Sequence, residues 1–472
     1  MSVPVEQVID ALAARRSRAP VRLDGIAAPL VGIAGLAAMF LSVALWNGFP
    51  LTFYDTGGYL VQGLAGAFLP ERSQVYSLLL VLMGAAYSLW LVAIAQSVVA
   101  AFLITELARA EVPDLTLRGL LEIGAALCLL TGIAWYTGQV EPDIMTPLLV
   151  LGCYLLMFRA GRMGRGRRAA VFVLTALAIG SHPSHLGLIA GLLICGAVLA
   201  LARRFMPALP QPRLAGPLGS FALALLLIVG ANYGYTGEVF LNRSGSAFLF
   251  GRVMQDGLVK RVLDDTCPQS GYRLCALRDR LRGTTDGWLW SSNSGFRALG
   301  GFNNRALEAE YGRIIGESLR RYPWSHLRAA VYDSVLQVLR FRTGDGIEPQ
   351  MAVIEAPLRE VIPGQVPAYL AARQQRGELG FRSLNLVHVP VGVLSLLGLF
   401  LLLGNAARRG WRDAPLPAMV LLGLVGNAII CGTFDGPHNR YQSRLMWLPV
   451  LVVILARIRD PDALHSVSES VT

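Results

Sequence analysis

Charged residues are scarce in this chain, which carries 15% Asp, Glu, Lys and Arg against 54% hydrophobic residues over 472 positions. Soluble domains carry about 25% charged residues, so the composition excludes an ordinary soluble protein and predicts a polytopic membrane protein. Lysine is almost missing as well, since Lys260 is the only one and arginine supplies the rest of the basic residues behind the formal net charge of +11. The arginines cluster in short loops between apolar runs, as topology determinants do, so this charge does not indicate nucleic acid binding.

The chain also lacks a Walker, Rossmann or nucleophile-elbow motif and any internal repeat. It therefore carries no sequence signature of nucleotide-dependent or α/β-hydrolase chemistry. We expect no cleavable signal peptide, because residues 1–24 contain several arginines without an apolar core. The apolar run that follows is long enough to span a bilayer, and we expect it to be a retained anchor with its basic flank in the cytoplasm.

Ten apolar runs have spanning length. They lie at 25–46, 88–108, 119–136, 144–159, 169–187, 186–203, 215–236, 386–406, 415–433 and 444–458. A shorter run at 74–87 is predicted to be a re-entrant or surface-lying helix. An eleventh crossing there would put the arginine clusters at 159–168 and 203–213 outside, against the positive-inside rule, whereas ten crossings keep them and the cluster at 408–412 in the cytoplasm.

These features predict an all-α polytopic membrane protein with about ten transmembrane helices and both termini in the cytoplasm. Five segments then lie outside: 47–87, 137–143, the turn at 181–185, 237–385 and 434–443. The expected organisation is a basic N-terminus (1–24), an N-terminal transmembrane module (25–236), an extracytoplasmic domain inserted between spans 7 and 8 (237–385), a C-terminal transmembrane module (386–458) and a cytoplasmic tail (459–472).

The 237–385 region is polar and is expected to be mostly helical. One helix is predicted from Arg305 to Arg321, and a second from Ser325 to Arg342 with Ser325 as its N-cap. The apolar residues of the second stretch recur on one helical face. Because a domain of this size is small, we expect it to lean on the membrane bundle.

Cysteines are few, and four of the six lie in or at apolar runs, where inert core residues are expected. The other two, Cys267 and Cys275, lie close together in the 237–385 region. Zinc would need two more ligands nearby, and none is evident. The pair therefore predicts a disulfide in an oxidising compartment, which independently supports an outside location for this region.

An acidic residue directly follows the first span, in the stretch Phe53-Tyr54-Asp55-Thr56-Gly57-Gly58-Tyr59. A partly buried carboxylate at the bilayer surface can deprotonate an acceptor hydroxyl, because burial raises its pKa toward a useful range. The alternative is that Asp55 simply forms a turn beside the glycines.

A second acidic pair, Glu141 and Asp143, lies between spans 3 and 4. With Asp55 these carboxylates can line two sides of a cleft, as acid/base or metal-supported transfer requires. The alternative is that Asp143 caps the fourth span while Glu141 is solvated.

Two histidines, His182 and His185, lie at the predicted outer turn between spans 5 and 6. Paired histidines bind metal or phosphate oxygens, but this spacing across a proline is not a specific metal signature. A hydrogen-bonded structural role is equally open.

Basic residues enter the last span from the outside, which runs against the positive-inside trend. Arg440 and Arg444 lie one helical turn apart on one face, beside His438 and Tyr441. A lipid phosphate held by bidentate hydrogen bonds is the natural partner. Snorkelling of the arginines to the headgroups is the alternative.

The order of these residues along the chain resembles that of the GT-C-fold glycosyltransferases. These are polytopic enzymes that use polyprenyl-phosphate sugars outside the cytoplasmic membrane. The likeness covers 25–235 and 386–458, while 237–385 matches nothing in that family. It rests on a first-loop acid followed by tyrosine (Asp55, Tyr59), an Arg-x-x-x-Tyr segment before a surface helix (Arg72 to Tyr76), a second-loop acid (Glu141-Pro142-Asp143) and a late Arg-Tyr pair (Arg440-Tyr441). The chain departs from the family in its short first loop, in Ser73 and Ser77 where prolines are common, and in lacking a Trp-Trp-Asp-type motif.

The resemblance implies inverting transfer of a sugar from a polyprenyl-phosphate donor to a hydroxyl of a glycan, lipid or protein acceptor, outside the bacterial cytoplasmic membrane. Asp55 would be the base, and a divalent cation is an optional cofactor. The implied catalytic residues are Asp55, Glu141 and Asp143; the implied donor-phosphate ligands are Arg440, Arg72, His438, Tyr441 and Arg444; and the candidate contacts to substrate or metal are His182, His185 and Tyr59.

Two other functions stay open. A lipid-linked polysaccharide polymerase or ligase also uses outer arginines and histidines, but usually relies on a large outer loop rather than on a first-loop aspartate. A transporter of lipid or glycan would show polar residues at mid-bilayer depth and inverted repeats. Here the centres of the spans are nearly free of charge, and the polar groups gather at one face.

Overall fold

The computed structural model describes residues 21–281, 283–460 and 463. These residues form helices and connecting turns, with two isolated β-bridges and no β-strand among them. Residues 1–20 of the predicted basic N-terminus (1–24) and most of the predicted tail at 459–472 lie outside the described residues. The α-helices of the first half are α1 Ala27–Phe40, α2 Ser42–Asn47, α3 Thr56–Ala65, α4 Gln74–Leu82, α5 Leu89–Glu111, α6 Leu117–Leu130, α7 Ile133–Thr137, α8 Met145–Tyr154, α9 Arg165–Gly180, α10 Ser184–Ala202 and α11 Ala215–Thr236. Those of the second half are α12 Gly245–Gln255, α13 Leu258–Thr266, α14 Thr285–Trp290, α15 Gly295–Ala298, α16 Arg305–Arg321, α17 Pro323–Leu339, α18 Met351–Val361, α19 Val366–Ala371, α20 Phe381–Arg408, α21 Pro415–Phe434, α22 Asn439–Ser443 and α23 Trp447–Arg459.

Eight helical segments among the described residues are long and apolar enough to cross a membrane, which confirms a polytopic helical membrane protein. They are Ala27–Asn47, Leu89–Glu111, Pro142–Arg162, Ser184–Ala202, Ala215–Thr236, Phe381–Arg408, Pro415–Phe434 and Asn439–Arg459. The ten predicted spans include two further segments, 119–136, which corresponds to α6 and α7, and 169–187, which overlaps α9. These helices are shorter, with 14 residues in α6 and 16 in α9, so the count of ten stays a prediction.

Two short backbone pairings define the ends of the helical bundle. At one end Leu51 N–H donates to Gly138 O and Val140 N–H donates to Leu51 O, both at 2.9 Å. At the opposite end the backbone of Val21 and Leu23 pairs with that of Leu117 and Leu115. The segments α1–α2 and α6–α7 therefore run side by side in the same direction. The loops that follow them, carrying Asp55 and Glu141, emerge together at what we call the site end.

The helix α4 covers part of the predicted surface run at 74–87. Its nine residues reach about 14 Å, less than the roughly 30 Å of a hydrocarbon core, so it does not cross. Ser73 caps this helix by accepting from Tyr76 N–H, and its own hydroxyl donates to Gly180 O at 2.8 Å. The cap thereby ties α4 to the end of α9.

The two helices predicted in the 237–385 region are present. The first has the predicted bounds Arg305–Arg321. The second begins earlier and ends earlier than predicted, at Pro323 and Leu339, and Ser325 is not its N-cap. Pro323 takes the first helical position, which suits a residue without an N–H, so Ser325 lies inside the first turn.

Residues 245–322 enclose a hydrophobic core of their own, built around Phe250, Phe296 and Tyr311. Cys267 and Cys275 form a disulfide within these residues, as predicted. We call this part the 245–322 unit.

The later part of the same region packs differently. Residues such as Leu358 and Tyr369 belong to the core of the membrane bundle. The helix α18 packs against α3. Pro357 of α18 lies so close to Gly57 of α3 that a Cβ atom added at position 57 would be 2.8 Å from the Pro357 side chain. Gln374 accepts from Thr52 N–H at 3.0 Å. Residues 343–380 therefore form a cover over the first loop rather than an extension of the 245–322 unit.

Candidate active site

Asp55 lies directly before α3, with its side chain 25% exposed. Its carboxylate does not cap the helix, although Asp55 does lie in a turn, closed by the 3.0 Å hydrogen bond from Thr56 N–H to Phe53 O. Instead Arg72 Nη2 lies 2.8 Å from Asp55 Oδ1, and the Arg72 guanidinium sits beside the ring of Tyr59. Tyr59 is buried and packs edge-on against Tyr76, with ring centroids 5.0 Å apart.

Glu141 and Asp143 are both fully buried in the second loop. Asp143 receives Arg440 Nε at 2.6 Å and Arg444 Nη1 at 2.8 Å, one on each carboxylate oxygen. The side chain of Asp143 therefore caps no helix, and Glu141 is not solvated. Glu141 Oε1 accepts from Thr56 Oγ1 at 2.9 Å, which joins the second loop to the residue after Asp55.

Arg440 is the centre of the cluster. Its guanidinium lies 2.6 Å from Asp143, 3.5 Å from Glu141 and 3.9 Å from Asp55. One face of the guanidinium covers the ring of Phe53 at 3.6 Å from the centroid. Buried charges are tolerated when they are paired, and here three carboxylates face the three guanidinium groups of Arg72, Arg440 and Arg444.

The environment of Glu141 differs from that of an ordinary glutamate. Burial raises the pKa of the Glu141 carboxyl well above its usual range, the nearby Asp55 carboxylate raises it further, and Arg440 acts in the opposite direction. Among the described residues its Oε2 also has no hydrogen-bond partner, although it is enclosed. A carboxyl in such surroundings can hold a proton and donate a hydrogen bond to a ligand.

Among the described residues neither predicted histidine forms an ion pair with a carboxylate, although both lie within electrostatic reach of the cluster, His182 of Arg72 and Arg440 and His185 of Asp143. His185 is buried, and both ring nitrogens are engaged, Nε2 with Thr146 Oγ1 at 2.7 Å and Nδ1 with Ala178 O at 2.6 Å. His182 Nδ1 contacts Ser184 Oγ at 2.7 Å. These contacts favour a hydrogen-bonded structural role for the two histidines over the binding of metal or phosphate. Within the described part of the chain, no three His, Cys, Asp or Glu side chains are arranged to hold a metal ion.

His438 and Tyr441 flank the cluster without joining it through their polar atoms. The His438 ring is 42% exposed and lies 3.7 Å from Asp286 of the 245–322 unit. The Tyr441 hydroxyl donates to Asp435. The centroid of the Tyr441 ring nevertheless lies 6.0 Å from the guanidinium carbon of Arg440 and 5.4 Å from that of Arg444.

Four residues of the site were not predicted from the sequence. Thr56 and Phe53 contact the cluster as described, while Trp290 of the 245–322 unit lies 5.3 Å from the Arg72 guanidinium. Asp345 accepts from the backbone N–H of Arg440 at 3.1 Å. The one local signal for Asp345 is its position between Gly344 and Gly346, which both have positive φ. A Cβ at Gly346 would overlap the Phe53 ring, so a glycine is required there.

An apolar groove with a volume of about 680 Å³ opens beside the cluster, between α4, α9 and α11. It is lined mainly by leucine and glycine, and it includes Val75, three residues after Arg72. Leu82 and Leu226 at this groove are 81% and 71% exposed, so it is open to the surroundings of the bundle. A groove of this kind suits a hydrocarbon chain.

Comparisons with protein-family models, with curated proteins and with solved structures gave no match. The function is therefore inferred from the chemistry and geometry of this site, which combines three carboxylates, three largely buried arginines and an apolar groove.

Proposed function

We propose that this protein is a membrane glycosyltransferase that moves a sugar from a polyprenyl-phosphate donor to an acceptor hydroxyl with inversion. The observation that carries the proposal is the convergence of Asp55, Glu141, Asp143, Arg72 and Arg440 at one end of the bundle. These are residues that the resemblance to GT-C glycosyltransferases singles out by their order alone.

Asp55 is best placed to be the base. It is the one carboxylate of the three with an exposed surface, 25%, whereas Glu141 and Asp143 are fully enclosed. An acceptor hydroxyl can therefore reach Asp55, which takes the proton as the oxygen attacks the anomeric carbon and the bond to phosphate breaks. Glu141 and Asp143 act by holding Thr56 and Arg440 in position.

Arg72 and Arg440 are the groups that would hold the donor phosphate. Arg72 Nε is enclosed but has no hydrogen-bond partner in the part of the chain that the structure describes, and Arg440 Nη1 lies 3.9 Å from Asp55, beyond hydrogen-bond distance. Both have donors to offer the charge that grows on the departing phosphate. Arg444 is 1% exposed and bonds Asp143 and Asn427, so its role is to position Asp143.

The apolar groove supports a lipid-linked donor. Because Arg72 and Val75 lie on one short segment, a lipid chain in the groove brings its phosphate to the arginine end of that segment. The hydrophobic effect then holds the lipid, while the arginines hold the phosphate.

The topology that we propose for this activity has ten spans in a GT-C-like arrangement. The segments α6–α7 and α9 both run from the opposite end of the bundle to the site end, as their backbone and cap contacts at Gly138 and Gly180 require. The arginine-rich segment that begins at Arg159 lies at the opposite end, where Arg159 bonds Glu111. By the positive-inside rule we expect that end to be cytoplasmic, and we therefore propose that the site faces the outside of the bacterial inner membrane.

Detection of bound donor lipid tests the proposal. Purified protein in nanodiscs would be incubated with decaprenyl phosphate and washed, and the retained lipid would be quantified by mass spectrometry. We expect retention by the wild type and at least a tenfold reduction in Arg72→Gln and in Arg440→Lys, since lysine keeps the charge but not the bidentate fork.

The matched control is Arg118→Gln, which changes an arginine that is 88% exposed at the opposite end. It should retain lipid as the wild type does. Equal retention by all four proteins, or none by the wild type, would contradict a donor-phosphate site at Arg72 and Arg440.

A lipid-linked polysaccharide polymerase or ligase is the second candidate. It is favoured by the contribution of the 237–385 region to the site, through Trp290, Asp286 and Asp345. Product length separates the two functions: a polymerase yields a ladder of products from one lipid-linked substrate, whereas the glycosyltransferase adds a single sugar.

A further inference from the structure

The helix α17 carries polar side chains on its buried face and apolar side chains on its exposed face. Its side chains Asp333 and Gln337 are buried, while apolar side chains spaced three or four residues apart are exposed along its outer face. These are Trp324 (79% exposed), Leu327 (52%), Val331 (56%), Val335 (56%) and Leu339 (66%). A helix of a soluble surface shows the opposite pattern, so this continuous apolar face needs an apolar partner.

The packing of α17 places this face at the perimeter of the bundle. The helix lies against the end of α21, where a Cβ at Gly432 would approach Asp333 O to 2.8 Å. Val425 is seven residues earlier on α21, hence on the same helical face, and is 41% exposed. The helix α17 covers this face of α21 at Gly432. Two helical turns earlier in the same candidate membrane span, at Val425, the face is exposed and directed outward from the bundle.

We propose that α17 is seated in the bilayer leaflet at the site end, with its apolar face in contact with lipid. Three observations identify lipid as the partner: the exposed apolar row is continuous with the outward side of α21, Trp324 and Tyr332 are of the types enriched at membrane interfaces, and Arg328 on the same face can reach headgroup phosphates. The membrane thus binds the 237–385 region directly, in addition to the predicted spans.

This contact has a consequence for the site. Gln337 Nε2 donates to His438 O at 2.8 Å, and His438 N–H donates back to Gln337 Oε1 at 2.9 Å. Arg340, just after the helix, donates to Pro437 O. The helix that rests in the leaflet therefore holds the loop that leads into Arg440, and the bilayer positions one wall of the cluster.

Spin labels test the proposal on the whole protein in phospholipid nanodiscs. The free cysteines at 128, 153, 195 and 431 would be replaced by alanine, leaving the disulfide, and one label would be attached at Val331→Cys or Val335→Cys. Val425→Cys is the control for lipid exposure, and Ala306→Cys on exposed α16 is the control for water exposure. Power saturation then compares collisions with oxygen and with a water-soluble nickel chelate.

We expect the labels at 331 and 335 to favour oxygen over the nickel chelate as the label at 425 does, with the ratio reversed at 306. A nickel-chelate accessibility at 331 and 335 equal to that at 306 would show a face in water and overturn the proposal. Protection from both reagents would overturn it as well, because it would show that protein, such as a second copy of the chain, covers the face. Both positions carry exposed side chains, so these labels leave the packing of α17 against α21 unchanged.

Discussion

Replacing Asp143 with asparagine is the sharpest test of the assembled cluster. The side chain is fully buried, and its two oxygens receive Arg440 Nε at 2.6 Å and Arg444 Nη1 at 2.8 Å. Asp143→Asn keeps the shape but leaves two buried guanidinium groups short of a counter-charge. Breaking a buried pair in this way costs about 3–5 kcal/mol, because the charge left behind is neither solvated nor compensated.

The matched control is Asp114→Asn, which makes the same chemical change in an exposed pair. Asp114 lies 3.0 Å from Arg22, and the two side chains are 79% and 59% exposed. Exposed pairs contribute about 0–1 kcal/mol, so little change is expected. With an unfolding entropy of roughly 2.1 cal/mol/K per residue, a 472-residue chain loses about 1 °C of Tm per kcal/mol, and Asp143→Asn should melt about 3–5 °C lower.

Thermal unfolding in nanodiscs, followed by intrinsic fluorescence, measures this difference. A Tm for Asp143→Asn equal to that for Asp114→Asn would refute the reasoning, since it would mean that Asp143 carries no buried charge pair. In the double variant Asp143→Asn/Arg444→Gln we expect less destabilisation than the sum of the single changes, because Arg444 no longer needs its partner.

Three further outcomes are expected. Asp55→Asn should reduce sugar transfer by about 10²–10⁴-fold in a radiolabelled-sugar assay while retaining bound donor lipid, and near-normal turnover would remove Asp55 as the base. Burial raises the pKa of Asp256 to about 6, so the folded state favours its protonated form; its contribution to stability is complete below the ordinary value near 3.8 and is lost as the pH rises through about 6. Melting temperatures from pH 4 to 7.5 should therefore fall more steeply for the wild type than for Asp256→Asn, and parallel curves would contradict this. The Cys267–Cys275 disulfide closes a loop with a sequence separation of 8, so its replacement by two serines should cost about 2.5 kcal/mol in chemical unfolding of the 245–322 unit, and an unchanged midpoint would show that the bridge contributes nothing.

A second buried charge cluster lies at the opposite end of the bundle and provides an internal comparison. Glu111 receives Tyr154 Oη and Arg159 Nε, each at 2.6 Å, and Arg459 Nη1 at 3.3 Å. Each of these polar atoms has a partner, as expected of a structural cluster. The site cluster differs, because Glu141 Oε2 and Arg72 Nε are buried without a hydrogen bond to any described residue and Asp55 remains accessible. Unsatisfied buried groups are costly, and a ligand that satisfies them would stabilise the site.

The sequence by itself determined those features that depend on neighbouring residues. Apolar runs of spanning length predict the membrane bundle, two cysteines in a polar segment predict the disulfide, and the helix Arg305–Arg321 has its predicted bounds. Propensity, hydropathy and short loop closure act over a few residues, so they can be recognised without the fold. The sequence predicted that Asp55, Glu141 and Asp143 line one cleft, but it assigned Arg440 and Arg444 to a lipid phosphate rather than to Asp143.

Tertiary structure alone decided how the charges pair. Arg440 meets Asp143 across 297 residues, and Arg444 turns toward the same carboxylate and becomes buried, although both arginines share one helical face. Packing also divided the 237–385 region between the 245–322 unit, a cover over the first loop and the helix α17. Coulombic pairing and burial depend on distances between elements that are remote in the chain, and no local pattern of residues contains those distances.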